Sequence, residues 1–141
     1  MERTHVVIVA VLAIGATGLA GVFLFFLAPN VLDGSTTSSN TAHFTIMATE
    51  RGFNDSVDHQ GAWPVMHATK GQTVIIRVIN SEVVEAHGFE IQHYFTGVSI
   101  SPRSFYDVKF IADQDGTFRV YCNIFCLVHS FMQNGQLVVT G

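Results

Sequence analysis

A chain of 141 residues has room for one membrane anchor and one small domain, since single domains typically run to about 100–150 residues. Apart from Glu2 and Arg3 there are ten acidic residues against six basic ones, for a net charge of −4. That balance argues against nucleic acid as a partner and suits a basic soluble protein.

The 48% hydrophobic content is unevenly placed. Residues 6–27, VVIVAVLAIGATGLAGVFLFFL, carry no charge. At about 1.5 Å per residue they span the roughly 30 Å hydrocarbon core, so a transmembrane helix is expected there. A cleaved signal peptide has a shorter apolar core of about 7–15 residues, and Pro29 follows Ala28 where a small-residue cleavage site would be sought. Arg3 before the helix favours a cytoplasmic N-terminus, which puts the rest of the chain on the extracytoplasmic side of the cell membrane as a single-pass protein. Ala13, Thr17 and Gly21 recur at four-residue spacing and give the helix one face that another helix can approach closely. Residues 1–29 thus read as the anchor and 30–42 as a flexible linker, rich in small polar residues (DGSTTSSNTA). The domain is expected over 43–141.

Within the domain, HFTIMAT (43–49) alternates as a half-buried strand does. Gly71 and Gln72 open TVIIRVIN (73–80), in which Val74, Ile76 and Val78 share one face. Further strands are predicted from His87, from Tyr106, over TFRVYC after the turn signal DQDG, and over the closing QLVVTG. Several short strands with turn signals between them and no long helical pattern indicate an all-β sandwich.

The chemistry concentrates in YCNIFCLVHSFMQNG. Eleven residues there hold two thiols, Cys122 and Cys126, an imidazole, His129, and a thioether, Met132. Soft sulfur with imidazole suits copper, and a His/Cys set with a weak Met is an electron-transfer arrangement. A second imidazole is supplied by His87, in AHGFEI. Two rival readings stand beside copper. An outward-facing domain with two cysteines often forms a disulfide, although the short separation must meet strict spacing limits. Zinc would use Cys and His but has little use for Met.

The segment resembles the metal loop of the binuclear CuA centre in subunit II of cytochrome c oxidases, whose pattern is C-x3-C-x3-H-x2-M with an upstream His. AHGFEI resembles the upstream site, and DGTFRVYC resembles the strand entering the first cysteine. His87 lies 35 residues before Cys122, as in the single-helix subunit II proteins. The resemblance runs from about Gly71 to Val139. It implies a cupredoxin-like Greek-key sandwich behind one N-terminal helix, with Cys122 and Cys126 bridging two coppers. His87 and Met132 would complete one copper, and His129 with the Ile124 backbone carbonyl the other. It also implies a non-catalytic redox subunit that takes electrons from a soluble cytochrome c or blue copper donor. Its acceptor would be haem in the catalytic subunit of a haem-copper oxidase. Many family members carry an acidic residue at the position of Ile124 that helps bind magnesium; no such site is expected here.

Two residues separate Cys126 from His129 where the family has three. The resulting C-x2-H-x2-M resembles the ligand loop of amicyanin-like blue copper proteins, which hold a single copper; Cys122 would then be a spare thiol. A different class of function, an independent redox protein or copper chaperone, stays open. Trp63 and Phe53 are candidates for electron entry by family analogy, while Tyr121 and Phe125 read as core packing. His43, His59, His67 and His93 read as surface histidines, with His93 a substitute ligand by its closeness to His87.

Overall fold

The computed structural model describes residues 40–141. The expected membrane helix and most of the linker lie outside them; among the described residues no helix is long and apolar enough to cross a membrane.

Among the described residues nine strands form two sheets. In chain order they are β1 (Thr41–Thr49), β2 (Gly52–Phe53), β3 (Val65–Thr69), β4 (Thr73–Asn80), β5 (His87–Ile91), β6 (Phe95–Ile100), β7 (Ser104–Ile111), β8 (Gly116–Tyr121) and β9 (Gly135–Thr140). One sheet has the order β2-β1-β4-β7 and the other β3-β9-β8-β5-β6. The links β2–β3, β3–β4, β4–β5, β6–β7 and β7–β8 cross between the sheets and close the sandwich.

Period-two patterning accounts for the central strands. Val74, Ile76, Val78 and Asn80 of β4 point inward, while Thr73, Ile75, Arg77 and Ile79 stand on the other face. Arg77 reaches across to Asp107 on β7, its registered partner. Phe118 and Val120 of β8 and Leu137 and Val139 of β9 face the same core. Phe53 and Phe89 meet edge to face at its centre, ring centroids 5.7 Å apart; fully burying a side chain of this size stabilises the fold by about 1.5–3 kcal/mol.

The structure corrects the expected outline at several points. β1 begins at Thr41, two residues inside the stretch expected as linker, because it pairs in parallel with β4 from Thr41↔Thr73 onward. Neither β3 nor β6 is legible as a strand in the sequence. Each lies at an edge of its sheet and takes its conformation from its partner: β3 from β9 in parallel, β6 from β5 across an irregular register. Phe53 is fully buried against Phe89, which removes it as a surface entry point for electrons.

Candidate metal centre

The site lies where β5 starts and β8 ends. β5 pairs with β8 through Glu90↔Tyr121 and Ile91↔Val120, which brings His87 alongside the residues that follow Tyr121. The Gly88 N–H donates to Cys122 Sγ at 3.2 Å and ties the two segments together. Gly88 is required there, because its Cα lies against the backbone of Asn123 and Ile124.

The loop from Cys122 closes on itself. The Cys122 N–H donates to the Met132 carbonyl (2.9 Å), and Gln133 Nε2 donates to the Cys122 carbonyl (3.0 Å). Gln133 is held in turn by Arg119, which donates to its carbonyl and its Oε1, each at 2.7 Å. A short 3-10 turn, His129–Met132, brings the chain back into β9.

This closure places four of the six expected ligand residues at one buried point. The donor atoms of His87, Cys122 and Cys126 all lie within 4.8 Å of one another, and Met132 Sδ is 3.7 Å from Cys126 Sγ. Cys122 Sγ and Cys126 Sγ are 3.7 Å apart. Both thiols are free, so the disulfide reading is set aside: a disulfide needs about 2.05 Å. Cys122, expected as a spare thiol under the single-copper alternative, sits inside the cluster.

The remaining two expected ligands, His129 and the Ile124 carbonyl, meet each other, and of the two only the carbonyl also touches a sulfur of the pair. His129 Nδ1 lies 2.8 Å from the Ile124 carbonyl, and the other ring nitrogen is 3.2 Å from Gln133 Nε2. The same carbonyl accepts from the Cys122 thiol at 3.1 Å. His129 belongs to no group of three mutually close His, Cys or acidic donors among the described residues. The shortened Cys126-to-His129 spacing accounts for this, since one residue more or less moves a Cα by about 3.8 Å.

The burial and electrostatics of the cluster fit a soft cation. His87 is fully buried and neither ring nitrogen has a hydrogen-bond partner. A buried polar group left unpaired costs about 1–3 kcal/mol, so an imidazole kept in this state fits a ligand awaiting its metal. Burial pushes the Cys126 thiol up to about 12, with further contributions from Cys122 and from the charge of Glu85. Without a cation the thiol therefore stays protonated, and a soft metal must displace that proton to bind.

Two acidic residues escaped the sequence reading. Glu82 and Glu85 of the β4–β5 link form with His87 a second group of mutually close donors. The Glu85 carboxylate accepts from the Leu127 N–H at 2.8 Å, and Glu82 Oε1 is 3.8 Å from His87 Nε2. Their closeness in sequence to His87, within EVVEAH, is the signal that could have found them.

The other sequence expectations fare unevenly. Phe125 is 91% exposed, not core packing, because the outward turn of the loop between the two cysteines leaves it no sheet to face. Leu127, Val84, Val83 and Phe131 are exposed apolar residues on the same two loops. Tyr121 is half-buried, with its hydroxyl on Glu90 and Arg119 over its ring. His43, His59, His67 and His93 are exposed, as expected; His93 pairs with Asp113 at 3.3 Å and takes no part in the cluster. Trp63 is half-buried, donates to the Asn54 carbonyl at 2.7 Å and stacks on His59 with centroids 3.8 Å apart.

Known proteins support this architecture. No family model matches the chain. It is similar to nitrous-oxide reductase of Ralstonia nicotianae (36% identical over 72 residues) and of Cupriavidus necator (33% over 72 residues). Each match takes in 49% of this chain but only 11% of the relative's length. Among solved structures, it resembles auracyanin from Roseiflexus castenholzii over 70% of this chain and 97% of that one, at TM-score 0.56 and 13% identity. A multicopper oxidase matches over 70% of this chain and 42% of its own, at TM-score 0.56 and 18% identity. The copper nitrite reductase of Nitrosomonas europaea matches over 71% and 41%, at TM-score 0.54 and 23% identity. The sandwich is therefore cupredoxin-like, as the sequence resemblance implied.

Proposed function

We propose that this chain is a copper electron carrier, and that it serves as the CuA-type subunit II of a membrane haem-copper oxidase. The observation that carries the copper reading is the buried meeting of His87, Cys122, Cys126 and Met132, with both His87 nitrogens unpartnered. Two thiolates, an imidazole and a thioether form a soft donor set that favours copper over zinc or a hard cation. The copper proteins that share the fold support the same choice. Bound there, copper supplies a one-electron couple. The protein fixes its donors on strand ends and on a loop braced by Arg119 and Gln133, so that they move little as charge changes.

A binuclear centre is supported by the 3.7 Å approach of the two sulfurs, which puts Cys122 as well as Cys126 where a cation would sit. The second copper would take His129 and the Ile124 carbonyl, whose donor atoms already converge at 2.8 Å. A single type 1 copper on His87, Cys126, His129 and Met132 is the second reading. What favours it is the short Cys126-to-His129 spacing, the C-x2-H-x2-M of single-copper loops. Replacing Cys122 by Ser separates the two. A binuclear centre loses its delocalised mixed-valence paramagnetic signal, whereas a type 1 site keeps one copper and its colour.

The oxidase role rests on the resemblance to subunit II and on residues 6–27, read as an anchor whose small-residue face packs beside a polytopic, haem-bearing subunit. The acidic balance suits a basic soluble donor on the extracytoplasmic side. Gentle detergent extraction tests this role: recovery in a larger haem-containing assembly is expected. Recovery as a monomer, under conditions that preserve comparable complexes, would favour an independent membrane-anchored carrier.

A further inference from the structure

The β4–β5 link is organised around one buried amide. Asn80, the last residue of β4, is fully buried, and its Nδ2 donates to the carbonyls of Glu85 (2.8 Å) and Ile100 (2.9 Å). Its Oδ1 accepts from the Glu82 N–H at 3.0 Å, and the Glu82 carbonyl accepts from the Arg103 N–H at 3.0 Å. Glu82 is therefore pinned on both sides of its peptide unit. Its side chain turns inward, with Oε1 buried and without a hydrogen-bond partner, 3.8 Å from His87 Nε2.

Two unpaired buried polar atoms of complementary type, held this close by an independent network, are not accounted for by the ligand set. At 3.8 Å the contact is too long for a hydrogen bond, and about 0.8–1 Å of approach makes it one. A metal-bound histidine almost always donates its other ring N–H to a carboxylate, carbonyl or water.

We propose that Glu82 is the positioning residue of His87. Its carboxylate accepts the Nε2–H, which fixes the tautomer that leaves Nδ1 for the metal and strengthens the imidazole as a donor. The proposal rests on the copper reading, in that His87 must be a ligand. It adds that the β4–β5 link governs both ends of the site, because Glu85 of the same link holds the Leu127 N–H of the cysteine loop.

The test uses the full chain loaded with copper, in its parent form and as E82Q, E82L and H87A. The readouts are copper affinity by competition, reduction potential, and the remote-nitrogen coupling of the bound imidazole by pulsed paramagnetic resonance. E82L is expected to weaken copper binding by about 10- to 100-fold, to alter the remote-nitrogen coupling and to raise the potential. Each tenfold loss confined to the oxidised state corresponds to about 59 mV for one electron. E82Q keeps an acceptor oxygen and is expected to fall between parent and E82L in all three; because it is nearly isosteric, it remains informative if E82L does not fold. Parent-like coupling and potential in E82L, or E82Q as damaging as E82L, overturns the proposal. H87A separates the two levels. Undiminished copper binding in H87A removes the ligand role itself, whereas loss of copper in H87A beside a parent-like E82L removes only the role of Glu82.

Discussion

Replacing Gly88 by Ala should damage both the fold and the metal centre. A Cβ added at Gly88 would lie 2.7 Å from the Asn123 backbone nitrogen and 2.8 Å from that of Ile124, and would also meet Asn123 Oδ1. The side chain can rotate away, but the backbone cannot without moving the cysteine loop. Reaching ordinary contact at 3.4 Å requires that loop to retreat by roughly 0.7 Å. Overpacking of this kind costs about 1–3 kcal/mol. A domain of 60–100 residues loses about 4–8 °C per kcal/mol, so the midpoint of the copper-free protein should fall by between about 4 and 24 °C. The same displacement pulls Cys122 away from the Gly88 N–H that donates to its sulfur, so the thiolate-to-copper absorption should shift or weaken. Thermal unfolding followed by circular dichroism, with copper titration of the same sample, measures both effects. A G88A protein with the parent's midpoint and the parent's spectrum would refute the claim that the loop is seated against β5. G97A is the matched comparison: the added Cβ meets only side-chain atoms of Asn123 and Glu90, which can swing aside, so it should cost less.

Three other outcomes follow from the same geometry. Cys126→Ser should abolish the visible thiolate-to-copper absorption under either copper reading, and unchanged colour and copper content in that variant would sink the site. Met132 is fully buried beside Cys126 Sγ, so Met132→Leu, nearly equal in volume, should cost under about 1.5 kcal/mol. Its reduction potential should nonetheless move, because a thioether ligand would tune the couple, and an unmoved potential would exclude Met132 as a ligand. Asn80→Ala strands the Glu85 and Ile100 carbonyls and the Glu82 N–H, so urea unfolding should report a loss of about 1–3 kcal/mol or more, together with weaker copper binding as the β4–β5 link loosens. Loss of stability with parent-like copper affinity would uncouple that link from the site.

Candidate donors were legible in the sequence because metal chemistry depends on residue type: Cys122, Cys126, His129 and Met132 crowd into eleven residues, and few other roles call for that combination. The central strands were legible too, since alternation in TVIIRVIN follows from one buried and one outer face; β4 runs over the same residues, 73–80. The edge strands β3 and β6 carry no such pattern. β3 exists because β9, distant in sequence, offers it a parallel backbone partner that leaves no mark on the local residues, and β6 pairs with neighbouring β5 across a register irregularity that breaks the alternation.

Which donors meet was decided only in three dimensions. The 34 residues between His87 and Cys122 say nothing of their distance; the β5–β8 register and the Gly88 N–H to Cys122 Sγ bond bring them together. The same folding sends Phe125 out into solvent, turns Glu82 in toward His87, and gives His129 to the Ile124 carbonyl rather than to the sulfur pair. A side chain's chemistry belongs to its residue, but its neighbours are set by loops whose paths depend on non-local hydrogen bonds such as those of Asn80, Gln133 and Arg119. Residue types along the chain could therefore name the candidate donors, while the tertiary fold alone determined which of them meet.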